Sequence, residues 1–168
     1  FIRVLADQDP APSGDVDDEY VASVLEELAA MAEPSGVTLL VETNGVYADT
    51  KRLAALLDKV ASPAVAALWD MHHPYRYLNE SPADTVKNLG ARIRYTHTKD
   101  SVVENGQVRY RMMGEGDLPV YEMLDVLNDI GYDGYVSLEW VKRWAPDLTD
   151  AGIVFPHFAQ YMQCYFEG

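Results

Sequence analysis

Cysteine is almost missing from this chain: Cys164 stands alone among 168 residues. No disulfide can close within it, which fits a reducing, cytoplasmic setting. Basic residues are scarce as well. Thirteen Lys and Arg against 27 Asp and Glu leave a formal charge of -14, which repels phosphate backbones and anionic lipid surfaces. Nucleic acid and membrane are therefore excluded as general partners. No apolar run approaches the roughly 20 residues needed to span a bilayer, and no signal peptide is visible. Low-complexity segments and inter-domain linkers are also lacking. What is present suits a globular α/β domain: 48% hydrophobic residues, with three Trp, eleven Tyr and four Phe to fill a core.

Apolar, β-rich runs alternate with helical periodicity. Phe1–Leu5 reads as a strand. Asp15–Glu33 reads as a helix, with Val21, Val24, Leu25 and Leu28 on one stripe and Asp15, Asp17 and Asp18 at its positive end. Val37–Glu42 is a continuous apolar run of the kind buried on both faces of a parallel sheet. A helix over Asp49–Ala61, a strand over Ala64–Trp69, a helix over Ser81–Ala91 and a strand over Arg92–Thr96 follow, with Ser81 as N-cap and Pro82 at the first helical position. A long loop is expected through Gly116, then a helix over Pro119–Ile130 and a strand over Tyr135–Leu138. The final segment, Thr149–Phe166, reads as helix that Pro156 interrupts or restarts. Five strands alternating with helices predict a parallel sheet flanked by helices, either doubly wound or part of a (β/α)8 barrel.

Four of these strands run into a metal-capable side chain: Glu42, Asp70, His97 and Glu139, at spacings of 28, 27 and 42 residues. Parallel strands joined by helices place all their C-terminal ends on one face, so the four side chains are expected to converge. Three carboxylates and one imidazole make an oxygen-rich site for one divalent cation, Mn, Mg or Co rather than a thiolate-type zinc. Taken singly, an acidic residue after a strand can equally begin a loop or cap a helix; the matching position of all four favours the site. His73 is open to three readings: a further ligand, a hydrogen-bond donor to substrate, or an ordinary loop histidine. His72 and His157 read as structural.

Five motifs then carry a resemblance: ETN at Glu42–Asn44, WDMHHPYR at Trp69–Arg76, HTKD at His97–Asp100, GEGDL at Gly114–Leu118 and GYDGYVSLEW at Gly131–Trp140. In this order they resemble the sugar phosphate isomerase/epimerase family of the xylose-isomerase-like TIM barrel superfamily. The resemblance implies that Glu42, Asp70, His97 and Glu139 are the metal ligands and that His73 contacts substrate. It implies a partial barrel over residues 1–168, strands four to eight of eight, with the N-terminal units absent. Open barrel edges are then expected to be covered by a second copy or another chain.

In the isomerase and epimerase branch, the resemblance implies a sugar substrate chelated through its carbonyl and adjacent hydroxyl, with proton transfer through an enediolate. Glu42 and Glu139 are the candidate acid/base residues, each doubling as a ligand. Lys99 and Arg76 are candidate substrate contacts, or partners for nearby acids. Glu115 is a further candidate contact, although its flanking glycines more directly signal a tight turn. Trp69, Trp140 and Trp144 either wall the pocket or pack in the core. Two alternatives stay open: a metal-dependent dehydratase of the inosose or dehydroshikimate type, and a non-catalytic sugar-binding barrel. An endonuclease IV-like reading is disfavoured, since Gln107–Met113 lacks the Asp-x-His that precedes the GEG turn in that group.

Overall fold

The computed structural model describes residues 1–167. Five parallel strands form one sheet: β1 (Ile2–Val4), β2 (Leu39–Glu42), β3 (Val65–Asp70), β4 (Ile93–Thr98) and β7 (Val136–Leu138), in the spatial order β1-β2-β3-β4-β7. Helices cover its outer side, as the alternating pattern requires. They are α1 (Asp18–Ala32), α2 (Thr50–Lys59), α3 (His72–Leu78), α4 (Pro82–Leu89), α5 (Val120–Asp129) and α6 (Ala151–Glu167). The architecture is the parallel five-stranded part of a TIM barrel. No helix among the described residues is long and apolar enough to cross a membrane.

Three of the helices start where the sequence supplies a side-chain cap. Asp17 accepts hydrogen bonds from the Glu19 and Tyr20 amides, Asp49 from those of Lys51 and Arg52, and Ser81 from that of Asp84, which satisfies backbone donors left free in each first turn. Alternate strand residues then go to opposite sides. Val41, Ala67 and Trp69 face outward and pack with Leu25, Leu53, Leu56, Met123 and Leu127 of the helices. Leu40, Ala66 and Leu68 form a separate inner cluster with Tyr95. Both sides of β2 and β3 are thus buried, the reason their sequences read as unbroken apolar runs.

Three expectations are corrected. The long loop before Gly116 contains a two-stranded antiparallel hairpin, β5 (Asp100–Glu104) and β6 (Gln107–Arg111). Its turn is Asn105-Gly106, with φ of 51° and 74°, a dipeptide suited to the tight hairpin turn that matches strand twist. A helix not expected from the sequence, α3, begins at His72, so His73 is helical and the loop reading of that histidine falls. Helix α6 runs through Pro156 without a break. The proline deprives only the Gly152 carbonyl of its partner, and Gly152 is exposed to water, so the lost bond is replaced by hydration.

The hairpin is tied to the loop that follows by Asp100. Its buried carboxylate accepts hydrogen bonds from the amides of Ser101 (2.8 Å), Gly114 (2.9 Å), Gly116 (3.0 Å) and Leu118 (3.3 Å). The GEGDL segment wraps this one anion so closely that a Cβ on Gly116 would lie 1.9 Å from Asp100 Oδ1 and 2.6 Å from the Ser101 carbonyl. Asp100→Asn turns one acceptor into a donor facing amides, and Gly116→Ala forces the loop off the carboxylate. Each is expected to lower the unfolding free energy by about 2–4 kcal/mol, measured as a lower urea midpoint at unchanged slope.

Candidate metal centre

The sheet register assembles the site. Asp70 pairs with His97 across β3 and β4, His97 pairs with Ser137 of β7, and the Glu139 amide continues that ladder by donating to the Thr98 carbonyl at 2.9 Å. Thr43, directly after Glu42, fastens β2 to β3: its hydroxyl accepts from the Asp70 amide at 2.8 Å and donates to the Asp70 carbonyl at 3.1 Å. Asn44 then donates to the carbonyls of Asp7 and Asp9, anchoring the segment that leaves β1. The ETN motif is therefore one candidate ligand followed by two residues that hold the strand ends in place.

The structure brings together all four expected ligands. Glu42, Asp70, His97 and Glu139 each offer a ligand atom within 4.8 Å of the others. Glu42 and Asp70 are fully buried, while Glu139 keeps 22% of its side chain exposed and faces the open side. His97 Nδ1 lies 2.8 Å from Glu42 Oε1 and 3.6 Å from Glu139 Oε1. Three carboxylates and an imidazole in this arrangement fit a hard divalent cation.

His73 and Lys99 join the cluster. His73 Nδ1 is 3.0 Å from the Thr43 carbonyl and Nε2 is 3.5 Å from Asp70 Oδ2. Burial, then the nearby Lys99 ammonium, holds its pKa well below the usual histidine value. The neutral ring donates from Nδ1, which leaves Nε2 as the acceptor nitrogen turned toward the site. Lys99 is 1% exposed, with Nζ 2.6 Å from Glu139 Oε2 and also donating to Asp70. Burial opposes its charge, but Asp70 and Glu139 override this and raise its pKa. Burial alone would raise the pKa of Asp70; Lys99 brings it below the ordinary carboxylate range.

Two expected contacts are not brought into the cluster. The Arg76 guanidinium turns to the hairpin, donating to the Ser101 carbonyl at 2.9 Å and pairing with Asp117. Glu115 is exposed on the GEG turn and its carboxylate has no partner among the described residues. Of the tryptophans, Trp69 lies in the outer core, Trp140 donates to the Thr149 carbonyl, and Trp144 is exposed. His72 sits beside the cluster in a supporting place. Its amide donates to Asp70 Oδ1 and its Nε2 is 2.9 Å from Ser101 Oγ. Burial, reinforced by Lys99, pushes its pKa down to about 2, so it is neutral.

Sequence reasoning missed Arg3. From the inner side of β1, its Nε and Nη2 reach Glu42 Oε2 at 2.7 and 2.6 Å, and Nη1 lies 3.4 Å from Glu139 Oε1. The available signal was a lone charge inside the FIRVL run, two positions from its neighbours on the same face.

Comparison with known proteins agrees with this fold. The family described as Xylose isomerase-like TIM barrel matches residues 1–155. Fructoselysine 3-epimerase of Escherichia coli O157:H7 is 29% identical over 129 residues, 74% of this chain and 46% of that protein. The crystal structure of D-allulose 3-epimerase from Methylomonas sp. aligns with a TM-score of 0.78 at 15% identity, covering 98% of this chain and 63% of that one. A protein described as the probable 3-DHS dehydratase of petrobactin synthesis, from Bacillus anthracis, aligns with a TM-score of 0.65 at 19% identity, covering 86% of this chain and 59% of that one. At these identities the two structures share the fold. The chain spans about half the length of the curated relatives it matches.

Arg76→Met keeps the aliphatic stem but removes two charge-assisted bonds across α3 and the hairpin. It is expected to lower the unfolding free energy by about 1.5–3 kcal/mol in urea denaturation, while Mn2+ affinity by calorimetry stays at the wild-type value.

Proposed function

Because this chain belongs to the xylose isomerase-like TIM barrel family, we propose that its cluster serves a divalent-metal-dependent isomerase or epimerase reaction on a sugar or sugar phosphate. The convergence of Glu42, Asp70, His97 and Glu139 at adjoining strand ends carries this reading. The fructoselysine 3-epimerase relative supports the reaction class and a sugar substrate. All four residues are proposed as ligands. A bound divalent ion supplies Lewis acidity at the substrate carbonyl, which favours loss of the neighbouring C–H proton.

Glu42 and Glu139 are the proposed proton carriers. Glu139, with part of its carboxylate exposed, meets substrate from the open side. Glu42, buried between Arg3 and His97, is held in a single orientation from the other side. One carboxylate removes the proton and the other returns it, which inverts a centre for an epimerase; return to the adjacent carbon gives an isomerase. His73 Nε2 and the third N–H of Lys99 are proposed to bind substrate oxygens next to the reacting carbons.

The dehydratase alternative begins with the same proton removal and then expels a β-hydroxyl, and the likeness to the Bacillus anthracis protein keeps it in view. Ketoses and their phosphates incubated in D2O separate the readings. An isomerase or epimerase washes deuterium into the carbon beside the carbonyl without losing water, a dehydratase forms an enone, and a binding barrel does neither. Glu42→Gln and Glu139→Gln are each expected to lower kcat by about 10²-fold or more; full activity in either removes that residue from proton transfer. Chelation by EDTA is expected to abolish turnover and Mn2+ to restore it. Activity that survives complete metal removal, verified by elemental analysis, defeats the metal assignment.

The edges of the sheet are a separate matter. Strands β1 and β7 each lack a neighbour on one side among the described residues, and unpaired edges favour association. The chain as it stands is expected to elute as an oligomer in light scattering; a monodisperse monomer contradicts this.

A further inference from the structure

The candidate ligands are gathered by two basic residues that belong to the chain itself. Glu42, Asp70 and Glu139 bring three negative charges within 4.8 Å of one another, a separation at which like charges away from bulk water repel strongly. Arg3 meets Glu42 from the solvent side, with 41% of its side chain exposed. Lys99 meets Asp70 and Glu139 from within, fully buried. Three acids against Arg3 and Lys99 leave a formal charge of -1 from these five side chains.

We propose that Lys99 is the built-in counter-ion of the metal centre. Its ammonium holds Asp70 and Glu139 in place before an ion arrives, and a divalent ion binds by exchanging with that hold. Lys99 is thus a positioning residue that keeps the empty cluster folded and, by the same repulsion between cations, limits how tightly the metal is held. This inference rests on the metal reading above and assigns Lys99 a role that substrate contact alone does not require. Burial supports it: an ammonium this far from water persists only when opposite charge compensates it, and both of its identified partners are candidate ligands.

The test compares wild-type protein with Lys99→Met, which keeps the chain length and removes the charge, using Mn2+ as the probe. After EDTA treatment the variant is expected to melt at least about 5 °C below wild type. Mn2+ is then expected to raise its transition by more than it raises that of wild type, with a dissociation constant by calorimetry about ten-fold or more tighter. A purely structural role for Lys99 predicts weaker or equal Mn2+ binding, so that result overturns the proposal. If Lys99→Met folds only when Mn2+ is supplied, the proposal is supported. If it folds under neither condition, Lys99→Gln decides by the same comparison of dissociation constants. Wild-type protein that takes up no Mn2+ overturns the metal reading itself, a result distinct from a wild type that binds and a variant that binds no more tightly.

Discussion

Glu42, Asp70 and Glu139 stand at the same end of one parallel sheet, and the shared direction of its strands brings their carboxylates together. Mutual repulsion among buried acids is the constraint around which the rest of this half-barrel is arranged. Arg3 and Lys99 bring compensating charge from opposite sides, His97 bridges Glu42 and Glu139, and Thr43 locks the ends of β2 and β3 so that the acids cannot relax apart. The apolar packing behind them, Val41, Ala67 and Trp69 against the helices, makes that arrangement rigid. A charge cluster of this kind is costly to assemble, which is why it is informative about chemistry rather than about stability.

Around this centre the motifs divide by task. Glu42, Asp70, His97 and Glu139 present ligand atoms. Thr43, Asn44, Asp100 and Arg76, drawn from the same motifs, hold loops and strand ends. Motif matching treats the two kinds alike, whereas hydrogen-bond partners separate them. Asp100 shows the difference well: an acid beside the cluster in sequence, it is consumed by four backbone amides and has nothing left to offer an ion.

Much of this could be read from the residues themselves. Strands β2 and β3 announce themselves as unbroken apolar runs ending in an acid, and Ser81-Pro82 marks its helix start because capping is a local matter. The hairpin was hidden although Asn105-Gly106 is a strong turn signal, since its strands mix charge with β-branched residues and neither forms an apolar run. Pro156 misled for the opposite reason: proline's local penalty is real, but here it falls on an exposed Gly152 carbonyl that water can serve.

The succession of the five parallel strands and the four acid or imidazole strand endings were decided by sequence alone, because side-chain alternation and the shared direction of parallel strands are properties of short segments. Which cations meet those acids was decided only by the tertiary structure. Arg3 and Glu42 are 39 residues apart in sequence and Lys99 and Glu139 are 40 apart, and no local pattern couples such positions. Arg76, which sequence left between a substrate contact and a partner for an acid, was given to Asp117 and Ser101 by the tertiary structure. Long-range charge pairing is settled by how strands and loops stack in space, and that is information no window of the chain contains.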